Sequence, residues 1–218
     1  YRLNDTDQLF ASYAQNFALP AGTDDIFDNA VGFDVEAPEG EEADNYELGF
    51  RTNREHYNGA VALFYTRFDN RLIASSVINP ATGQPETFYV NAGASKAYGI
   101  EFSGVFQPEM FDRKLYFNVN VSFKKAELVD GFAGNPAGSQ LPDSPEWLMT
   151  GGVTYEPTEW LVANFSAKYT DIRYTDFNET YELESYLVAQ AYIDIGGPNN
   201  FGMPENVRLR FNVDNVFD

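Results

Sequence analysis

Leu115-Tyr116-Phe117-Asn118-Val119-Asn120-Val121-Ser122-Phe123-Lys124 decides the fold. Leu115, Phe117, Val119, Val121 and Phe123 are apolar, and the residues between them are polar or amphipathic. Successive side chains of an extended strand point to opposite faces, so this period of two describes a strand with one apolar and one wet face. A helix would place both sets on every side.

The same alternation recurs outward from this stretch. Tyr46, Leu48 and Phe50 stand against Glu47, Gly49 and Arg51, and Tyr98, Ile100 and Phe102 against Gly99, Glu101 and Ser103. Leu161, Ala163, Phe165, Ala167 and Tyr169 stand against Lys168, residues 187–195 against Gln190 and Asp194, and Val207, Leu209, Phe211 and Val213 against Arg208 and Arg210. Residues 9–17 and 57–65 alternate less cleanly. With residues 147–155 there are about nine such segments, each bounded by Gly, Pro, Asn or Asp. Helical periodicity is nowhere sustained.

The connections alternate in length. Short ones are expected near residues 53–57, 107–114 and 156–159, with a longer one at 196–206. Long polar ones are expected at 18–43, 69–86, 129–144 and 173–182. Short turns on one rim and long loops on the other are the pattern of an outer-membrane β-barrel.

Charge and aromatic spacing distinguish lipid from water as the partner of the apolar face. Arg51, Lys124, Lys168, Arg208 and Arg210 all fall on the polar parity. A lipid-facing Arg or Lys at the bilayer midplane would cost about 2–4 kcal/mol, so this segregation is expected of a membrane wall. Tyr57 and Tyr65, Tyr98 and Phe106, and Trp147 and Tyr155 each lie eight residues apart on one face. At about 3.3 Å per residue and a tilt of about 40°, that spacing climbs roughly 20 Å, close to the height of an apolar band between two aromatic girdles.

Composition excludes several classes. The 218 residues are 44% hydrophobic and 16% aromatic with a mean hydropathy of -0.38; no apolar run approaches the roughly 18 residues of a spanning helix. Cysteine is absent, which removes disulfides, thiolate metal sites and thiol nucleophiles. The net charge is -19, and residues 18–43 hold eight acids (Asp24, Asp25, Asp28, Asp34, Glu36, Glu39, Glu41 and Glu42) without a Lys or Arg. A phosphate backbone would be repelled, so no nucleic-acid partner is expected. The acidic pairs Asp24-Asp25 and Glu41-Glu42 read as a solvated loop, with a calcium site as the alternative; the spacing is not that of an EF-hand. The single histidine, His56, reads as a solvated turn residue, and no Ser-His-Asp set can be built around it. No enzyme activity, cofactor or metal is expected. No signal peptide opens the chain at Tyr1.

Several words of the sequence, in order, resemble the barrel signatures of TonB-dependent receptors. They are Asn45-Tyr46-Glu47-Leu48-Gly49-Phe50-Arg51, Phe64-Tyr65 with Phe68-Asp69-Asn70-Arg71-Leu72, Tyr89-Val90-Asn91-Ala92-Gly93, Tyr98-Gly99-Ile100-Glu101, Leu141-Pro142-Asp143-Ser144-Pro145 and Asn215-Val216-Phe217-Asp218. The resemblance implies an all-β, antiparallel up-and-down transmembrane β-barrel wall, with residues 1–218 forming part of a single barrel domain. By that likeness the nine strands would be about the thirteenth to twenty-first of about twenty-two.

It further implies the bacterial outer membrane and its lipid, energised import of a large scarce nutrient, typically a ferric siderophore, and two partners: a plug domain and the TonB energy-coupling complex. The chain shows neither plug nor TonB-contacting segment, so these functions map onto no residue here. A passive porin or adhesin barrel shares the same wall, and a soluble extracellular β-protein that binds a ligand is an alternative from another class.

On this reading Glu47, Arg51, Glu101, Asn118, Asn120, Lys124, Lys168, Arg208 and Arg210 line the lumen. Tyr89, Phe132, Tyr174 and Tyr181 in the outer loops are the candidates for stacking on a ligand.

Overall fold

The computed structural model describes residues 1–19, 39–78, 83–91, 93–132, 134–177, 179–197, 204 and 207–217. Thirteen strands run through them: β1 (Asp7–Ala18), β2 (Glu41–Asn53), β3 (Tyr57–Asp69), β4 (Leu72–Ile78), β5 (Pro85–Asn91), β6 (Ser95–Phe106), β7 (Leu115–Leu128), β8 (Trp147–Thr158), β9 (Leu161–Thr170), β10 (Arg173–Tyr174), β11 (Glu182–Leu183), β12 (Tyr186–Gly196) and β13 (Arg208–Asp214). Nine form one sheet in the order β1-β2-β3-β6-β7-β8-β9-β12-β13. Every neighbouring pair in it is antiparallel, so this is an up-and-down wall.

Three segments the alternation places in long loops differ from that expectation. The 69–86 connection folds largely as the paired hairpin β4–β5, and 173–182 contains the two-residue pairing β10–β11. Glu41 and Glu42 belong to β2 rather than to the acidic loop, and Asp24, Asp25, Asp28, Asp34 and Glu36 lie outside the described residues. The reason is common to these three: strand pairing continues beyond the apolar band into water, where alternation no longer signals it. Val207, read as the start of the last strand, lies just before β13.

Register settles which residues share a face, because directly opposed residues of paired strands point the same way. Leu9 faces Phe50, Phe50 faces Val61, and Val61 faces Phe102; Val121 and Met149 continue that row. Leu48, Leu63, Ile100, Phe123 and Trp147 form the row beside it. Farther along, Ala163, Ile193 and Phe211 are opposed in turn. This face is uncovered: Leu48 is 58% exposed, Leu63 56% and Phe211 63%.

Aromatic rings border the band. Tyr13, Tyr46, Tyr65 and Tyr98 stand opposite one another on four successive strands, with ring centroids 5.1 Å apart for Tyr13–Tyr46 and 6.3 Å for Tyr46–Tyr65. One row further into the band, Phe123 and Trp147 add a second aromatic contact with centroids 4.7 Å apart. Eight residues away, Tyr57 opposes Phe106, Phe106 opposes Phe117, and Tyr155 meets Phe111 edge-on at 6.4 Å. The residues between the two lines are the apolar band that the spacing of the tyrosines predicts.

The densest packing is at the long-loop rim, where Leu128 is 1% exposed and Ser95 0%. There residues 129–132 and 134–146 fold back over β6 and β7: Leu128 N–H donates to Ser139 O, Leu141 N–H to Ala126 O and Val129 N–H to Ala94 O. At the opposite rim His56 is not simply solvated. Its Nε2 lies 2.9 Å from Glu109 Oε1, and neighbouring Glu55 pairs with Arg113, so the 54–56 and 107–114 turns are clasped together.

Candidate functional site

All nine lumen candidates lie on the polar face. One row runs Gln8, Arg51, Ala60, Ser103, Asn120, Thr150 and Lys168 across seven strands. Glu101 lies one step along the same face opposite Ser122, Glu47 opposite Ser12, Asn118 opposite Gly152, and Lys124 opposite Gly99. Arg208 opposes Gly196 and Arg210 opposes Asp194.

They do not form one site. Glu47, Glu101, Asn120 and Lys168 line an open recess of about 490 Å³ in the middle of the wall, floored by Ala60 and Ala62. Glu47 accepts from the Ser12 hydroxyl at 3.2 Å and Glu101 from that of Ser122 at 3.5 Å. Among the described residues neither carboxylate has a cationic partner. Arg51 instead donates to Gln8 Oε1 at 2.9 Å with its guanidinium over the Phe10 ring. Arg210 holds Asp194 through two bonds of 2.7 Å and stacks 4.2 Å from the Tyr192 ring centroid. These last two are wall braces nearer the short-turn rim.

Lys124 belongs to a second, more elaborate recess at the long-loop rim. Phe68 on β3, Arg71, Lys124 on β7, Leu141 to Ser144 and Thr175 to Phe177 enclose about 560 Å³. The sequence builds it locally. Asn70 adopts a left-handed conformation (φ 54°), which Asn tolerates better than other side chains and which turns the chain from β3 into β4. Arg71 follows; its guanidinium lies 4.2 Å from the Phe68 ring centroid and 3.5 Å from Glu41. Asn91 ties the base of the hairpin down: its Oδ1 accepts from Glu39 N–H at 2.7 Å, and its Nδ2 donates to Glu39 O at 3.0 Å and Asn70 O at 2.8 Å. Arg71 N–H donates to Gly93 O, and Leu72 N–H to Glu41 Oε2.

The opposite wall is a clasp of two loops. Asp143, also left-handed (φ 52°), accepts from Arg173 Nε at 2.5 Å, and its own N–H donates to Tyr174 O at 2.8 Å. Phe132 meets Phe177 edge-on at 6.0 Å, which places Phe132 behind the recess lining. Partial burial, with Glu182 and Glu179 nearby, holds the Tyr174 phenol above its ordinary pKa. Tyr181, at 70% exposure, stands out from the same hairpin. Tyr89 lies on β5, in the other hairpin, and its side chain is outside what the structure describes.

Of the four loop aromatics, then, Phe132 and Tyr174 support the recess. The sequence reading missed Arg71 and Phe177 as lining residues. Arg71 was visible inside the word Phe68 to Leu72; Phe177 carried no signal, because a loop phenylalanine has no periodicity to expose it. Lys124 has no carboxylate partner among the described residues, whereas Arg71 is paired with Glu41, and Asp143, held by Arg173, and Asp176 complete the lining beside the aromatic walls. The charge of the recess is therefore mixed, and Lys124 is the group placed to meet an anionic part of a ligand whose flat or apolar body lies against Phe68 and Phe177.

Residues 1–216 match the family described as TonB dependent receptor-like, beta-barrel. The chain belongs to this family. A probable TonB-dependent siderophore receptor, PiuA of Acinetobacter baumannii, is 24% identical over all of this chain and 29% of its own length. Among solved structures, the ferric citrate transporter FecA superposes with a TM-score of 0.75 at 20% identity, over all of this chain and 32% of FecA. The ferric yersiniabactin uptake receptor FyuA of Yersinia pestis gives 0.72 at 19% identity, over all of this chain and 31% of FyuA. The chain thus spans about a third of the length of these relatives and carries the barrel fold they share. These relatives are named as receptors and transporters rather than enzymes. Family membership puts the wall in the bacterial outer membrane, with its apolar face to lipid.

Proposed function

We propose that this wall belongs to a TonB-dependent transporter that imports a large, scarce nutrient across the outer membrane, with a ferric siderophore as its substrate. The observation that carries the reading is the recess at the long-loop rim, where Arg71 and Lys124 stand beside Phe68 and Phe177 on the polar face of a barrel of this family. Ferric siderophore complexes are commonly anionic and present flat or apolar ligand arms, which these groups suit. The relatives' names, with siderophore, yersiniabactin and ferric citrate among them, support the same class.

In this reading the mid-wall carboxylates Glu47 and Glu101, which share a recess with Lys168 but form no ion pair with it, face a plug domain that offers them further cationic groups. The plug is released by force transmitted from the TonB complex. The recess makes first contact with substrate, since it lies on the long-loop side.

The test uses the full-length receptor. Substituting Arg71→Gln and Lys124→Gln together should weaken binding of the ferric siderophore by about a hundredfold or more, since charge-assisted contacts to an anion contribute about 1.5–3 kcal/mol each. Fluorescence quenching or radiolabelled iron uptake in an iron-starved host reads the change. Unaltered affinity for every ferric siderophore that the wild type imports would remove the recess from the reading; absence of any energised uptake would remove the transport function itself.

A further inference from the structure

The wall of the long-loop recess opposite Phe68 is made by two loops that leave the sheet separately. Residues 134–146 are rooted on β7: Gly138 N–H donates to Leu128 O, Leu128 N–H to Ser139 O and Leu141 N–H to Ala126 O. The β10–β11 hairpin, where Thr175 N–H donates to Tyr181 O, rises from the end of β9, beside which Asp171 N–H donates to Trp147 O. Leu141, Pro142, Asp143 and Ser144 reach the lining from the first loop, and Thr175 and Phe177 from the second.

The junction between the loops is concentrated at Asp143. Its φ of 52° is one that few side chains other than Asn and Asp adopt. That conformation lets a single residue reach the hairpin twice: its carboxylate accepts from Arg173 Nε at 2.5 Å, and its N–H donates to Tyr174 O at 2.8 Å. The turn that carries Asp143 is stiffened from within, since Pro142 and Pro145 flank it and Gln140 Nε2 donates to Ser144 O at 2.9 Å.

Arg173 is fixed from the other side. Its guanidinium lies 5.7 Å from the Tyr186 ring centroid, and its side chain is only 20% exposed. Tyr186 opens β12 opposite Thr170, the last residue of β9, so the arginine rests against the wall of the barrel. Phe132 against Phe177 is another contact between the two loops. Directional bonds between two anchored segments tie their opening into one event.

We propose that residues 134–146 and the β10–β11 hairpin form one preassembled wall, locked by the Arg173–Asp143 pair, which opens as a single body and keeps the recess shaped before any nutrient arrives. Arg173 is a positioning residue: it holds Phe177 and Pro142 in place relative to Lys124, which stands on the same β7 that anchors the first loop. A recess already in order spares an arriving molecule the cost of ordering two loops. The lock belongs to the wall whichever nutrient the barrel carries, so it stands or falls separately from the siderophore reading.

Hydrogen exchange of the full-length receptor in detergent, without any added nutrient and read by mass spectrometry on peptides from 134–146 and 173–183, tests this. Wild type should exchange slowly in both. Asp143→Asn keeps a residue that tolerates the left-handed turn and removes the charge, and Arg173→Gln removes the other half of the pair. Each should speed exchange roughly five- to tenfold in both segments, the effect of losing one charge-assisted bond at a partly exposed pair. The double variant should be no faster than the faster single, because one lock is lost only once. Arg173→Lys, which retains the cation, should stay close to wild type. Heat-modifiable mobility on gels and unchanged exchange in β7 to β9 check that each variant is folded. Acceleration confined to the loop that carries the substitution, or a double variant whose effect is the product of the two singles, would overturn the proposal. So would a lysine variant as fast as the glutamine one, since ion pairing would then have no part in the lock.

Discussion

Gly99 shows how one residue can be required by geometry that its neighbours create. It faces Lys124 across the β6–β7 ladder, and a Cβ placed on it would run into the Phe123 carbonyl and crowd the Lys124 backbone. The obstacle is backbone in a hydrogen-bonded sheet, so it cannot swing aside. Gly99→Ala should therefore destabilise the folded barrel by about 1–3 kcal/mol, the range of overpacking, read as a lower denaturant midpoint in detergent. Gly49 is similar: a Cβ there would meet the Phe10 ring and, behind it, the Val61 carbonyl of the neighbouring strand. The words of the family resemblance have similar physical content. Asn70, Gly93, Asp143 and Asn215 all adopt positive φ, at 54°, 74°, 52° and 55°. Four of the six words therefore mark places where most side chains are strained, while Asn45 to Arg51 and Tyr98 to Glu101 lie within β2 and β6. Asn70→Ala should cost about 1–2 kcal/mol while Asn70→Gly stays near wild type, a difference that the same midpoint measurement resolves. These positions were legible as Asn, Asp and Gly in turns; that they position Arg71 and Arg173 at a recess was not, because the bonds concerned join residues far apart in sequence.

At the scale of the element, what was legible divides at the edge of the apolar band. Inside it every strand announces itself, since lipid on one face and a wet lumen on the other enforce alternation residue by residue. Even the irregular segments fall into place through their partners: Tyr57, Val61, Leu63 and Tyr65 are assigned to the lipid side by opposing Phe106, Phe102, Ile100 and Tyr98. Above the band both faces meet water, alternation loses its cause, and β4–β5 reads as a polar loop. That hairpin is held instead by polar bonds, among them the three made by Asn91 to Glu39 and Asn70. Asn91→Ala removes all three and leaves the Glu39 and Asn70 groups to water. The expected result is local rather than global: faster proteolysis within residues 70–94 in the full-length receptor, with an unchanged thermal transition of the wall. Equal cleavage rates for variant and wild type would show that the ladder of β4 and β5 holds the hairpin without its anchor.

For the whole molecule, the sheet leaves two things unmet: an apolar face that only lipid or detergent covers, and unpaired edges at β1 and β13, each with partners on one side alone among the described residues. An edge strand in a bilayer has backbone groups that water cannot reach, each costing several kcal/mol, and a closed barrel is the arrangement that removes them. The nine strands supply no such closure by themselves, and their relatives supply it with the remaining two thirds of their length. Residues 1–218 expressed alone should therefore fail to give a monodisperse monomer, and detergent should not rescue them, because detergent covers the face but cannot pair the edges. Size-exclusion chromatography of the refolded segment in detergent should show heterogeneous aggregates, and joining it to the rest of its own reading frame should convert these to a single heat-modifiable species. A monomeric, heat-modifiable isolated segment would mean that β1 and β13 find each other. A nine-stranded closure would be far narrower than the relatives' barrels, since diameter grows with strand number, and would bring the mid-wall carboxylates Glu47 and Glu101 nearer to Arg208 and Arg210 across the lumen than a plugged barrel requires.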